Sequence, residues 1–262
     1  MRPKTRGPRK MAWIIRQVVP PAGLALLILA AWEGTVVGFK IPPYILPPPS
    51  QVARLLVAER GLLASHFVVT LEEVLVGLAV AGVIGIGLGI AIFHSPTLAR
   101  GLYPFIIASK TVPIFAIAPL LIVWFGYGMA PKVIVAALFV FFPLVVNTVD
   151  GLKAVDADAV NLLWIAQANR WQILTKVRIP AALPFIFSGT KIGVSVAVIG
   201  AVVGEWVGAK AGLGFLMIHA NAQLQIDLIF AAIAALSALG VGLFALVSLL
   251  EAWAMPWRRV AR

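Results

Sequence analysis

The chain has no cysteine, which excludes disulfides, thiol nucleophiles and thiolate metal sites. Charge is scarce too. Asp, Glu, Lys and Arg make up 12% of the 262 residues, where a soluble domain carries about 25%. Acidic residues are the rarer kind, 10 against 21 basic. Whole windows lack any Asp, Glu, Lys, Arg or His, among them 111–131 and 228–250. A larger soluble core does not explain such windows. A helix needs about 20 uncharged residues to cross a bilayer core of about 30 Å. The three histidines, His66, His94 and His219, are too scattered to suggest a metal site. No nucleophile has a sequence-local base, and no cofactor is expected. The phosphate loop G-x(4)-G-K-[ST] is missing, so the chain is not itself an ATPase.

What is present points the same way. Hydrophobic residues make up 61% of the chain, and the mean hydropathy is +1.02. The expected class is all-α, a polytopic membrane protein with about six transmembrane helices. The net charge of +11 is not a nucleic-acid signature, because it collects at the ends. Five of the first ten residues are basic (Arg2, Lys4, Arg6, Arg9, Lys10), and Arg258, Arg259 and Arg262 close the chain. Such clusters beside apolar runs mark cytoplasmic ends. No clear small-x-small cleavage site follows the first apolar run, so it reads as a span and not a signal peptide.

Six spans are expected, at 13–36, 67–93, 102–126, 132–149, 185–208 and 226–250. They lie between a basic tail (1–12) and a C-terminal tail (251–262). Both termini and the 150–184 loop then share the cytoplasmic side, while Lys40, Arg54, Arg60, Lys132 and Lys210 fall outside. The Pro-rich stretch 41–50 reads as an extended spacer, and Ser50 as the N-cap of a short helix over 51–64. The domain proper is 65–250, with 13–64 as first span and connector. Gly77, Gly82, Gly85, Gly87 and Gly89 in the second span suit close helix packing within one subunit. The third span holds Pro104, Pro113 and Pro119, which free carbonyls that neighbours or water must satisfy. With Lys110 inside it, this span is a candidate pathway element; snorkelling of Lys110 to the interface is the competing reading. Glu205, at the outer end of the fifth span, is either a gate or substrate contact or a hydrogen-bonded residue near water. Trp253 and Trp257 read as an interfacial anchor.

The most polar stretch between spans is 150–186, with four basic and three acidic residues. Val160, Leu163, Trp164, Trp171 and Leu174 fall at i, i+3, i+4, i+11 and i+14, one stripe of a single amphipathic helix. Asn169, Arg170, Gln172 and Lys176 lie largely off it. A helix of this kind lies on lipid, packs under its own subunit or docks in a partner's groove.

This loop and the chain around it resemble the inner-membrane permeases of binding-protein-dependent ABC importers. The family loop reads E-A-A-x(3)-G-x(9)-I-x-L-P. Here Asn161-Leu162-Leu163 stand for Glu-Ala-Ala, Gln167 for the glycine, and Val177-Arg178-Ile179-Pro180 close the pattern. Leu46-Pro47-Pro48-Pro49, Val112-Pro113, Ala118-Pro119-Leu120, Trp124-Phe125-Gly126, Gly204-Glu205-Trp206-Val207-Gly208 and Gly212-Leu213-Gly214 continue the match over about 200 residues. They are similar to the nitrate/sulfonate/taurine branch, which also contains pyrimidine-precursor and riboflavin permeases. The runs 109–128 and 198–216, with Glu73, look most like those last two. The resemblance implies a homodimeric pathway, cytoplasmic ABC ATPase subunits docked on the 150–184 loops, and a periplasmic or lipid-anchored solute-binding protein delivering a small molecule. It places ATPase docking at Asn161, Leu163, Trp164, Gln167, Arg170, Trp171, Leu174 and Pro180. Pathway candidates are Lys110, Pro113, Pro119 and Glu205. The alternative is an ion-coupled secondary transporter. No internal repeat supports it, and apart from Lys110 the expected mid-spans are almost free of charge.

Overall fold

A computed structural model describes residues 8–259, with side chains from 19 to 257. The basic N-terminal tail and the terminal Arg258, Arg259 and Arg262 side chains lie outside the described residues. Among those described, the secondary structure is helical throughout, without strands. Among the described residues five stretches are long and apolar enough to cross a membrane, or six where a bent pair of shorter helices counts as one span.

One compact unit comprises the chain up to Arg60 with Ala220–Ala231. It holds α1 (Pro8–Gly38) and α2 (Pro49–Ala58). Ser50 was expected to cap α2, but Pro48 holds that position. The Ser50 amide and hydroxyl instead donate to the Glu33 carboxylate, at 2.9 and 2.7 Å. Proline at the start of a helix has no amide needing a cap, which frees the serine for this cross-link.

The other unit comprises Gly61–His219 with the chain from Ala232 onward. It contains α3 (Arg60–His94), α4 (Pro96–Ser109), α5 (Ile114–Phe125), α6 (Met129–Lys153) and α7 (Ala157–Ile165). Then follow α8 (Arg170–Ile173), a π turn (Leu174–Arg178), α9 (Ile179–Gly208), α10 (Leu213–Ala222) and the greater part of α11 (Ile226–Ala254). The expected continuous span 102–126 is instead α4 and α5, bent by 98°. Proline keeps the residue before it out of helical geometry, so Val112 cannot carry the helix into Pro113. The amides of Lys110, Thr111 and Val112 turn back onto the carbonyls of Ile107, Ala108 and Ser109. Lys110 therefore sits at a corner, exposed, and not within a straight span.

Helix α6 forms the centre of this unit, with 13 buried residues. Glycines let the helices on either side of it approach closely. On α3, a Cβ at Gly77 would meet Ala136 at 2.9 Å, at Gly85 Leu144 at 3.0 Å and at Gly89 Thr148 at 2.7 Å. Gly82 and Gly87 face open space. On α9, Gly193, Gly200 and Gly204 press on Val140, Ala136 and Lys132. Close approach of this kind is how helices associate in lipid, where the hydrophobic effect offers no drive. The core between them joins Val74, Val140, Leu144, Val194 and Leu243 from α3, α6, α9 and α11.

Candidate functional site

The expected single helix across the polar loop is two. Val160, Leu163 and Trp164 lie on α7, whereas Trp171 is on α8 and Leu174 opens the π turn, so the stripe does not run through. Asp156 caps the start of α7 by accepting from the Asp158 amide at 3.0 Å. Its end is a Schellman motif. The Gln167 amide donates to Trp164 O at 3.0 Å, and the Ala168 amide to Leu163 O at 2.9 Å. The motif needs a left-handed residue, and Gln167 supplies it with φ +58°. Glycine reaches that region without strain, which explains the glycine of the family pattern at this position. Two residues later Asn169 and Gln172 form a reciprocal capping box, at 2.8 and 2.9 Å. One helix is thus stopped and the next started within four residues.

This turn displays apolar surface. Leu162, Trp164, Ile165 and Trp171 are 66%, 48%, 80% and 69% exposed, while Val160, Ile173 and Leu174 are buried beneath. Asn161, Gln167 and Arg170 are exposed around the turn; Leu163 and Pro180 are half-buried. From Arg170 the helix continues through the π turn into α9 as one apolar run of 39 residues to Gly208. The π turn follows from crowding at Pro180, which cannot donate to a carbonyl one turn earlier.

The far end of α9 carries a second constellation, and it is buried. Glu205 accepts the Thr70 hydroxyl at 2.6 Å and the amides of Gly214 and Phe215 at the start of α10. The Thr70 hydroxyl oxygen accepts from Leu213 N at 2.9 Å, and His66 Nδ1 from Gly212 N at 3.0 Å. Four consecutive amides at a helix start are satisfied by three side chains, and the carboxylate sits where the helix dipole favours it. Gly212 (φ +120°) has no room for a Cβ, which would overlap the Glu205 carboxylate. Beside this grip Lys132 pairs with Glu73, both buried. Glu73 Oε2 has no hydrogen-bond partner.

Sequence reasoning weighed Glu205 but missed its setting. Lys132, expected outside at the edge of the fourth span, is buried on α6, and His66, expected only to be too scattered for a metal site, accepts from the Gly212 amide. The available signal was an acid, Glu73, inside an apolar run, which demands a partner. Of the pathway candidates, Pro113 and Pro119 stand exposed with Lys110 on the α4–α5 corner and on α5, whereas Glu205 is enclosed. Among the described residues no group of His, Asp or Glu could hold a metal ion.

The chain is similar to known proteins over most of its length. The family described as "Binding-protein-dependent transport system inner membrane component" matches residues 81–257. A protein of Haemophilus influenzae described as "Probable ABC transporter permease protein" is 40% identical, over 87% of this chain and 93% of its own. The formylaminopyrimidine transport permease protein ThiX of Halalkalibacterium halodurans is 37% identical, covering 93% and 97%. The riboflavin transport system permease protein RibX of Chloroflexus aurantiacus is also 37% identical, covering 97% and 95%. The fold is similar to an inward-facing structure of the MetNI methionine ABC transporter, with TM-score 0.57 and 20% identity over 72% of this chain and 98% of that one. A chain without a phosphate-loop motif, built as apolar spans with an exposed turn between two of them, fits that company. It belongs to the inner-membrane component family of binding-protein-dependent transport systems, as a permease subunit of an ABC importer for small solutes and not itself an enzyme.

Proposed function

We propose that the α7–α8 turn is the seat of the ATPase subunit, and that two copies of this chain line the pathway. The observation that carries this reading is the exposed apolar face of Leu162, Trp164, Ile165 and Trp171 on a turn fixed by a Schellman motif and a capping box. Large exposed apolar patches of this kind mark interaction sites, and aromatic anchors dominate the energetics of an interface. The turn and both termini face the cytoplasm, in keeping with the basic tails. A solute-binding protein meets the other end, where α10 is anchored. Lys110, Pro113 and Pro119 face the pathway at the α4–α5 corner.

The substrate we favour is a thiamine pyrimidine precursor or riboflavin, with nitrate, a sulfonate or taurine as the wider class. The support is the likeness to the formylaminopyrimidine and riboflavin permeases. Trp171→Asp tests the docking. In proteoliposomes with the ATPase and binding protein, solute moved per ATP hydrolysed should fall about tenfold or more, the loss expected for a central aromatic anchor. Unchanged coupling would remove Trp171 from the interface. Ligand screening of the partner binding protein tests the substrate; tight binding of only nitrate or taurine would overturn the pyrimidine or flavin assignment.

A further inference from the structure

Where the α7–α8 turn meets the end of α3 lies a cavity of about 250 Å³. Its walls are apolar, from Phe93, Val160 and Leu174, and its polar groups are Arg170, Arg178 and His94. No carboxylate lines it, although the loop holds Asp150, Asp156 and Asp158. Arg178 is held in place: its Nη1 donates to Leu152 O at 3.0 Å, and its guanidinium stands 4.7 Å over the Phe93 ring. That leaves most of its five donors uncommitted. Among the described residues neither Arg170 nor Arg178 has an ion-pair partner; the pairs are Lys132–Glu73 and Lys191–Glu251. Two arginines thus line a largely apolar pocket that no carboxylate shares.

We infer that this cavity is an anion site for a phosphate group, and that the phosphate is the headgroup of an anionic phospholipid. Guanidinium forks match phosphate geometry bidentately. The volume is below the range of about 300–1,000 Å³ typical of whole small-molecule sites, so it suits a headgroup whose tails lie outside. Basic pockets between spans on the cytoplasmic side are where anionic headgroups bind. The inference rests on the proposed orientation for which leaflet supplies the lipid.

The test uses the full chain in nanodiscs of phosphatidylcholine, with or without phosphatidylglycerol, and reads retained lipid by native mass spectrometry. The wild type should retain phosphatidylglycerol about tenfold over phosphatidylcholine, the scale of one or two charge-assisted hydrogen bonds. Arg178→Gln and Arg170→Gln should each reduce that preference; Arg170 is exposed, so its variant stays informative if Arg178→Gln misfolds. Glycerol 3-phosphate, added to phosphatidylcholine discs, separates the sources. Competition with retained phosphatidylglycerol supports a lipid phosphate at the site, while binding of glycerol 3-phosphate alone overturns the lipid assignment. Equal retention of both lipids, or a preference unmoved by either variant, overturns the site. Co-purification of the ATPase is measured in parallel. Variants that lose the ATPase yet keep the lipid preference give the cavity to the partner and overturn the inference. Loss of the ATPase from the wild type would count against the docking reading alone.

Discussion

The two ends of α9 handle polar groups in opposite ways. At the end near Gly208, Glu205, Thr70, His66 and the amides of α10 close on one another, and Lys132 closes on Glu73. At the end near Arg170, aromatic side chains are left facing outward and two arginines line a cavity that no carboxylate shares. One end is closed by the chain itself, with Glu73 Oε2 alone among these side-chain atoms left without a hydrogen bond. The other is built for completion by something else. A change at the first should therefore read out as stability, and a change at the second as partnership.

The largest expected effect is on the closed end. Lys132→Met strands the Glu73 carboxylate in the interior and should destabilise the protein by about 3–5 kcal/mol, measured by denaturant titration in detergent. Adding Glu73→Gln should restore most of the loss, because the cost lies in the orphaned charge. A double variant as unstable as the single would show that the lysine stem, pressed against Gly204, matters more than its charge. Next is Glu205→Ala, which leaves the amides of Gly214 and Phe215 without acceptors. A loss of about 2–3 kcal/mol is expected, with faster hydrogen exchange at 213–216; unaltered exchange would mean that α10 is held by packing alone. The smallest effect is at the open end, and of opposite sign. Gln167→Gly relieves a left-handed residue and should stabilise by about 1 kcal/mol, read by denaturant titration. Destabilisation there would mean that the glutamine side chain makes a compensating contact.

The sequence revealed what is periodic and local. The uncharged window 228–250 became helix, whereas 111–131 did so only over Ile114–Phe125 and from Met129, broken where Pro113 overrode the hydrophobic pattern and again at Gly126 and Gly128. The glycines of α3 were legible as packing, and three of the five meet α6. The stripe through Trp171 was illegible as two helices because apolar spacing does not see Gln167 turn left-handed. Ser50 misled because Pro48 and Pro49 already start the helix. The buried grip was hidden for a different reason: its bonds join residues 135, 143 and 146 apart in sequence. No local rule links Thr70 to Glu205, or His66 to Gly212. What a single chain does show is that Glu73 and Lys132, 59 residues apart, are too costly to bury unpaired.

Helix α8, the π turn and α9 run without interruption from Arg170 to Gly208. At 1.5 Å per residue that is a beam of about 58 Å. A tilt of about 5° at its base would carry its tip through about 5 Å, and the tip is the end that grips α10. Leverage, with no change in any contact along the way, can connect an event at one membrane face to the other. The compliance of such a beam is set by its weakest joints. Here they are the π turn at Leu174–Arg178 and Pro184, both near the base, where a little bending forfeits the most stroke.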